Sequence, residues 1–172
     1  MNTIDNPFTN LHIPRWNELP NIDLYLDQVV CFVNSSLLPF LRPNQPKDSE
    51  EVILSKTMIN NYVKNNIIEA PVKKKYGRIQ VAKLIVICVL KQVYSINDIK
   101  SLIKISTEHF AIEQAYNSFC HFYQEALTST FEKKEHIDTN KELDDDRYLL
   151  KSVLLSCSYK SYTEYILSKL SE

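Results

Sequence analysis

At 172 residues, with 44% hydrophobic and 24% charged side chains, the chain suits one sizeable core, or a small module plus a helical extension, of ordinary globular composition. Its single glycine, Gly77, excludes a dinucleotide fingerprint and a P-loop and argues against tight hairpins, all of which lean on glycine's backbone freedom. A net charge of −1 hides its distribution: residues 55–104 carry 10 basic and 2 acidic side chains, against 3 and 7 in residues 1–54 and 7 and 12 in residues 105–172.

In chain order, residues 1–20 hold Pro7, Pro14 and Pro20 without periodicity and read as an irregular arm, with Phe8 and Trp16 available to pin it to a core. Asn21 or Asp23 opens a first helix to about Leu38, with Leu26, Val29, Val30, Val33 and Leu37 at helical spacing. Pro39, Pro43 and Pro46 are expected to stop it, and residues 42–51 read as a polar loop. Ser55 caps a second helix to about Asn66. Residues 67–78, broken by Pro71, suit a short ribbon or extended loop. A third helix runs from Gly77 or Arg78 to about Val93, apolar enough to be central. Ser95 and Asp98 form a capping-box-like start to a fourth, to about Ile105. Thr107 starts a fifth, to about Lys133, in which Ile112, Tyr116, Phe119, Tyr123 and Ala126 follow the 4-3 rhythm of a helix–helix seam. Residues 134–143 read as a polar linker, and two short helices follow at about 145–157 and 160–171.

Residues that carry catalysis are not assembled by this sequence. His12, His109, His121 and His136 share no ligand spacing, and neither a zinc-protease nor a serine-hydrolase motif is present. Cys31, Cys88, Cys120 and Cys157 are far apart and lie in apolar helical patterns, where free cysteine acts as a small hydrophobe. Asp144, Asp145 and Asp146 read as negative charge at a helix start rather than a cation site. The expectation is a non-enzyme with no cofactor and no metal. The unpaired cysteines and the lack of a leader segment point to the cytoplasm. The longest apolar run, Leu84 to Leu90, is far short of the roughly 20 residues of a membrane span.

The second helix is the informative one. Lys56, Thr57, Asn60, Asn61 and Lys64 fall on one face, and Met58, Ile59, Tyr62 and Val63 on the other. Lysine neutralises phosphate, and asparagine can read an adenine edge with paired hydrogen bonds. The plain alternative is a solvated surface helix. Lys73, Lys74, Lys75, Tyr76 and Arg78 follow closely, a basic stretch able to lie along a phosphate backbone or reach a minor groove.

With these residues in view, residues 54–103 resemble the DNA-binding module of MerR-type transcription regulators. Ile59-Asn60-Asn61-Tyr62 stands where that family has Leu-Arg-Tyr-Tyr, and Asn66-Ile67-Ile68 where it has a Gly-Leu-Ile-like exit. Lys74-Lys75-Tyr76-Gly77 is similar to its Arg-x-Tyr-Ser wing end, Val81, Leu84 and Ile87 match the next helix, and Ser95 to Leu102 matches the helix after that. The family's arginine is Asn60 here and its first tyrosine Asn61. Its usual first helix, a short turn upstream, is replaced by a helix beyond a loop of more than 12 residues, which must fold back if it supports the second. The phrases LPNIDLYLDQVV, SKTMINNYVKN, KKKY and LIVICVLKQVYSINDI also resemble a family of uncharacterised bacterial proteins defined by a domain of unknown function, over roughly residues 13–110.

The reading is therefore an all-α chain: an arm (1–20), a MerR-like winged helix-turn-helix module (21–105) and a helical extension for dimerisation or regulation (106–172). The resemblance implies a homodimeric regulator binding double-stranded DNA, answering to an effector of unknown identity. Ile112, Tyr116, Phe119 and Tyr123 are assigned to a dimer contact or a pocket. The competing reading is a helical interaction protein that meets an acidic partner instead of DNA.

Overall fold

The computed structural model describes residues 7–8, 12–42, 51–134 and 145–170. Among them are six α-helices, a short 3-10 turn at Trp16–Glu18 and a two-stranded antiparallel sheet. The order is β1 (Leu24–Tyr25), α1 (Leu26–Leu41), α2 (Lys56–Lys64), β2 (Lys75–Tyr76), α3 (Arg78–Leu90), α4 (Ile96–His109), α5 (Ile112–Phe131) and α6 (Asp145–Leu170). The chain is mostly helical, and no described helix is long and apolar enough to cross a membrane.

The core centres on α3. Nine of its residues are buried, on every side, as a helix without a polar face requires. Leu84, Ile85 and Ile87 are wholly enclosed, each contributing on the order of 2 kcal/mol from apolar burial. Around α3 lie α1, α4, α5 and α6. The side chains of Gly77's neighbour turn fix its start: Gln80 Oε1 accepts from the Gly77 N–H at 2.6 Å. Phe8 and Trp16 pin the arm as expected. Phe8 meets Phe40 and Phe131 at ring separations of 6.2 and 4.7 Å, and the Trp16 N–H donates to Asn117 Oδ1 at 2.9 Å.

Several boundaries differ from the sequence reading. α1 continues through Pro39 to Leu41, because a proline in the last turn forfeits only one intrahelical bond and the Arg42 N–H still closes the turn on Leu38. α4 extends to His109, with Ser95 as its cap; α5 begins after Ala111, so Thr107 is no cap but bonds back to Ile103. The two expected C-terminal helices are one, α6. Its serines do not break it, since Ser156, Ser158 and Ser161 each donate to a carbonyl three or four residues earlier in the helix. The stretch expected as a loop lies outside the described residues at 43–50; so do the linker at 135–144, with Asp144 and His136, and most of the arm before His12.

α5 and α6 make the most extensive helix pair. Thr130 and Ser158 meet at 2.9 Å and Phe131 packs edge-on against Tyr162 and Tyr165, while Phe119 shares a cavity with Val153. First halves thus face first halves, and the two helices run parallel.

Candidate functional site

The face expected on α2 is present. Lys56, Thr57, Asn60, Asn61 and Lys64 are all exposed, whereas Ile59 is fully buried and Met58, Tyr62 and Val63 are half-buried. Ser55 caps the helix, accepting from the Met58 N–H at 3.2 Å. Burial, with Cys88 nearby, pushes the Tyr62 hydroxyl up to about 12, in keeping with a ring that packs rather than reads.

α1 does fold back to hold α2, and one buried residue does most of the holding. Asn34 Oδ1 accepts from the Ile53 and Leu54 N–H groups at 2.7 and 3.1 Å, and its Nδ2 donates to the Leu54 and Val30 carbonyls at 2.8 Å each. Leu54 immediately precedes the capping serine, so α2 starts from a point fixed on α1. At its other end Asn66 takes a positive φ of 54°, and the Ile67 N–H returns to the Tyr62 carbonyl at 2.9 Å. This is the left-handed helix stop usually given to glycine.

The segment after α2 is held by Gln80, whose Nε2 donates to the Glu69 and Ala70 carbonyls at 3.0 and 3.1 Å, and by the Lys83–Glu69 ion pair. Partial desolvation would raise the Glu69 carboxyl, but the hydrogen bond and charge of Lys83 hold it below its ordinary range. A two-residue hairpin follows. Val72 and Lys75 exchange backbone hydrogen bonds at 2.9 and 3.0 Å, and Lys73 and Lys74 between them have φ of 49° and 64°. Two successive positive φ values define a type I′ turn, for which asparagine and glycine are the usual residues. Glycine scarcity thus did not prevent a tight hairpin; lysines occupy its left-handed positions. β1 pairs alongside, Leu24 with Tyr76 and Tyr25 with Lys75.

The ten cations of residues 55–104 are not all on this face. Lys64, Lys73 and Lys74 are exposed and have no ionic partner among the described residues. Lys56 pairs with Asp27, Lys75 lies 4.9 Å over the Tyr25 ring, and Arg78 lies 5.7 Å over the Trp16 ring. Tyr76, expected in the wing, is only 3% exposed and belongs to the core. Lys100 and Lys104 sit apart on α4.

The α5 seam is spent inside the chain: Tyr116, Phe119, Tyr123 and Ala126 are buried. Ile112, Tyr116 and Phe119 also line a cavity of about 280 Å³ bounded by α3, α4, α5 and α6, whereas Tyr123 does not reach it. Among the described residues no group of three or more His, Cys, Asp or Glu is placed to hold a metal ion. Burial pushes the Cys88 and Cys157 thiols up to about 12 and the Cys120 thiol to about 11.

Sequence reasoning found the α2 face but missed Asn34 and Gln80. Their bonds reach 19 and 10 residues along the chain, and no local pattern encodes that.

No curated protein and no solved structure matches the chain. Residues 14–119, from the arm to the middle of α5, match the family model described as Domain of unknown function (DUF1836). That stretch contains Asn34, the α2 face, the hairpin and Gln80, and the chain belongs to the DUF1836 family.

Proposed function

We propose that the chain is a DNA-binding regulator in which α2 enters the major groove and the Val72–Lys75 hairpin lies on the phosphate backbone. The supporting observation is α2 itself. Asn60, Asn61, Thr57 and Lys64 are presented to solvent on a helix whose other face is packed, and a lysine-tipped hairpin follows a short, braced segment later. Residues 54–103, over which the sequence resembles the MerR module, run helix, hairpin, helix, helix. Lys64, Lys73 and Lys74 supply phosphate contacts, and Asn60 and Asn61 supply base-edge contacts. The working form is a homodimer with its α2 helices about 34 Å apart, matching successive major grooves. Since the α5 seam is occupied by α6, the dimer contact falls on another surface.

The test is binding of a random duplex, followed by fluorescence anisotropy across a salt series. Replacing Lys64, Lys73 and Lys74 together by alanine should weaken all duplexes alike and flatten the salt dependence by roughly 0.9 log units per lost contact. Replacing Lys100 and Lys104 should change neither. Asn60→Ala should relax the sequence preference obtained by selection from random DNA. A triple variant with the parental slope, or a parent that ignores duplexes at low salt, removes the reading.

A further inference from the structure

The cavity beside α3 is separate from the α2 face and has its own chemistry. Its volume, about 280 Å³, is close to twice the roughly 150 Å³ apolar cavity that takes up a benzene ring. The wall is mostly apolar, with Val86, Leu90, Leu102, Phe119, Phe122 and Val153 among its residues, so the body of a ligand must be apolar. The charged groups on the wall are already engaged. Lys83 pairs with Glu69, Asp146 lies 3.3 Å from His109, and the Arg147 guanidinium lies 6.0 Å over the Phe110 ring. An ion entering would give up its water for a mostly apolar wall, a poor exchange. Ser106 and Ser118, half-buried, and the exposed Gln114 also line this space and hold no hydrogen bond among the described residues. They can therefore orient a hydroxyl, a carbonyl or a ring N–H.

From this combination we infer that the cavity is a binding site for a neutral, largely apolar two-ring molecule bearing one hydrogen-bonding group. The apolar volume supplies affinity, and the free hydroxyls and amide fix orientation. Selection against charge follows from the cost of desolvating an ion against this mostly apolar wall. Nothing in this inference depends on DNA binding.

The probe is 2-naphthol, neutral at pH 7 and of two-ring size, titrated by calorimetry into the full chain, with 2-naphthoate as its charged counterpart. The expected result is saturable binding of one 2-naphthol per chain with a negative heat-capacity change, and 2-naphthoate weaker by about tenfold or more. Ala115→Phe and Ser118→Leu each fill part of the cavity from α5, and each should weaken 2-naphthol by roughly tenfold or more while helical circular dichroism and the melting transition persist. Should one filler fail to fold, the other carries the comparison; should both fail, the neutral-against-charged ratio on the parent chain decides. Absent or non-saturating heat, equal binding of 2-naphthoate, or parental affinity in a folded filler overturns the inference.

Discussion

Asn34 leaves the chain little freedom over where α2 begins. Its amide closes hydrogen bonds with two backbone N–H groups and two carbonyls, all on or just before elements that meet the candidate site. Asn34→Ala strands the Ile53 and Leu54 N–H groups in a buried setting, at about 1–3 kcal/mol for each unsatisfied group. Urea unfolding should show a net loss of about 2–4 kcal/mol. Asn34→Asp retains the acceptor and loses the donor, and should fall between alanine and the parent. The hairpin lysines pose the opposite case. A side chain held at positive φ costs on the order of 1 kcal/mol, and two stand in succession. Lys73→Asn combined with Lys74→Gly should raise stability by about 1 kcal/mol in the same unfolding assay. If the hairpin meets phosphate, that more stable variant should bind duplex DNA more weakly. Unchanged or lower stability would show that the lysines are not strained there. The sequence suggested a short ribbon or extended loop over 67–78 but not this turn, because its usual Asn-Gly signal is absent and the bonds that enforce it come from Val72, Lys75 and the pairing with β1.

Among the elements, helical periodicity was the readable signal. It located α1 to α5 to within a few residues, since each has an apolar face that the core consumes. The capping serines Ser55 and Ser95 were legible for the same local reason. What was not legible was continuity. The break expected between 157 and 160 is absent, and the nearby serine hydroxyls are satisfied on their own helix and leave the backbone ladder intact. Tyr159→Pro separates the alternatives. The side chain is 52% exposed, and in a linker proline would be tolerated. Within one helix it removes a backbone bond and clashes with the preceding turn, costing about 3 kcal/mol or more. Thermal melting of that variant should show a drop of many degrees; a melting point within a degree or two of the parent would mean that α6 is two helices.

At the scale of the molecule, class and core were readable and assembly was not. Composition and periodicity give a mostly helical chain around an apolar third helix, as observed. The parallel packing of α5 on α6 could not be foreseen, because the 4-3 rhythm of Ile112 to Ala126 states that a partner exists without saying whether it belongs to the same chain. Burial of that partner also sets the thiol chemistry. Cys88, Cys120 and Cys157 are enclosed and their thiols are pushed up by burial, whereas Cys31 is exposed on α1. Under native conditions a disulfide reagent such as Ellman's should titrate one thiol promptly and the other three only after unfolding. Prompt reaction of more than one would mean that the α3–α5–α6 core opens readily.

α3 is the part shared by everything else. Through Gln80 and Lys83 it braces the stretch leading to the lysine hairpin, and through Val86 and Leu90 it walls the cavity against α5 and α6. Excising the N-terminal portion alone, with the cut after residue 105, would clip the end of α4, strip α5 and α6 from this shaft and bare a strip of aliphatic surface. Such a fragment would be expected to clump or to seek substitute cover, so an assay performed on it would report on that exposed strip as much as on the face it was made to isolate.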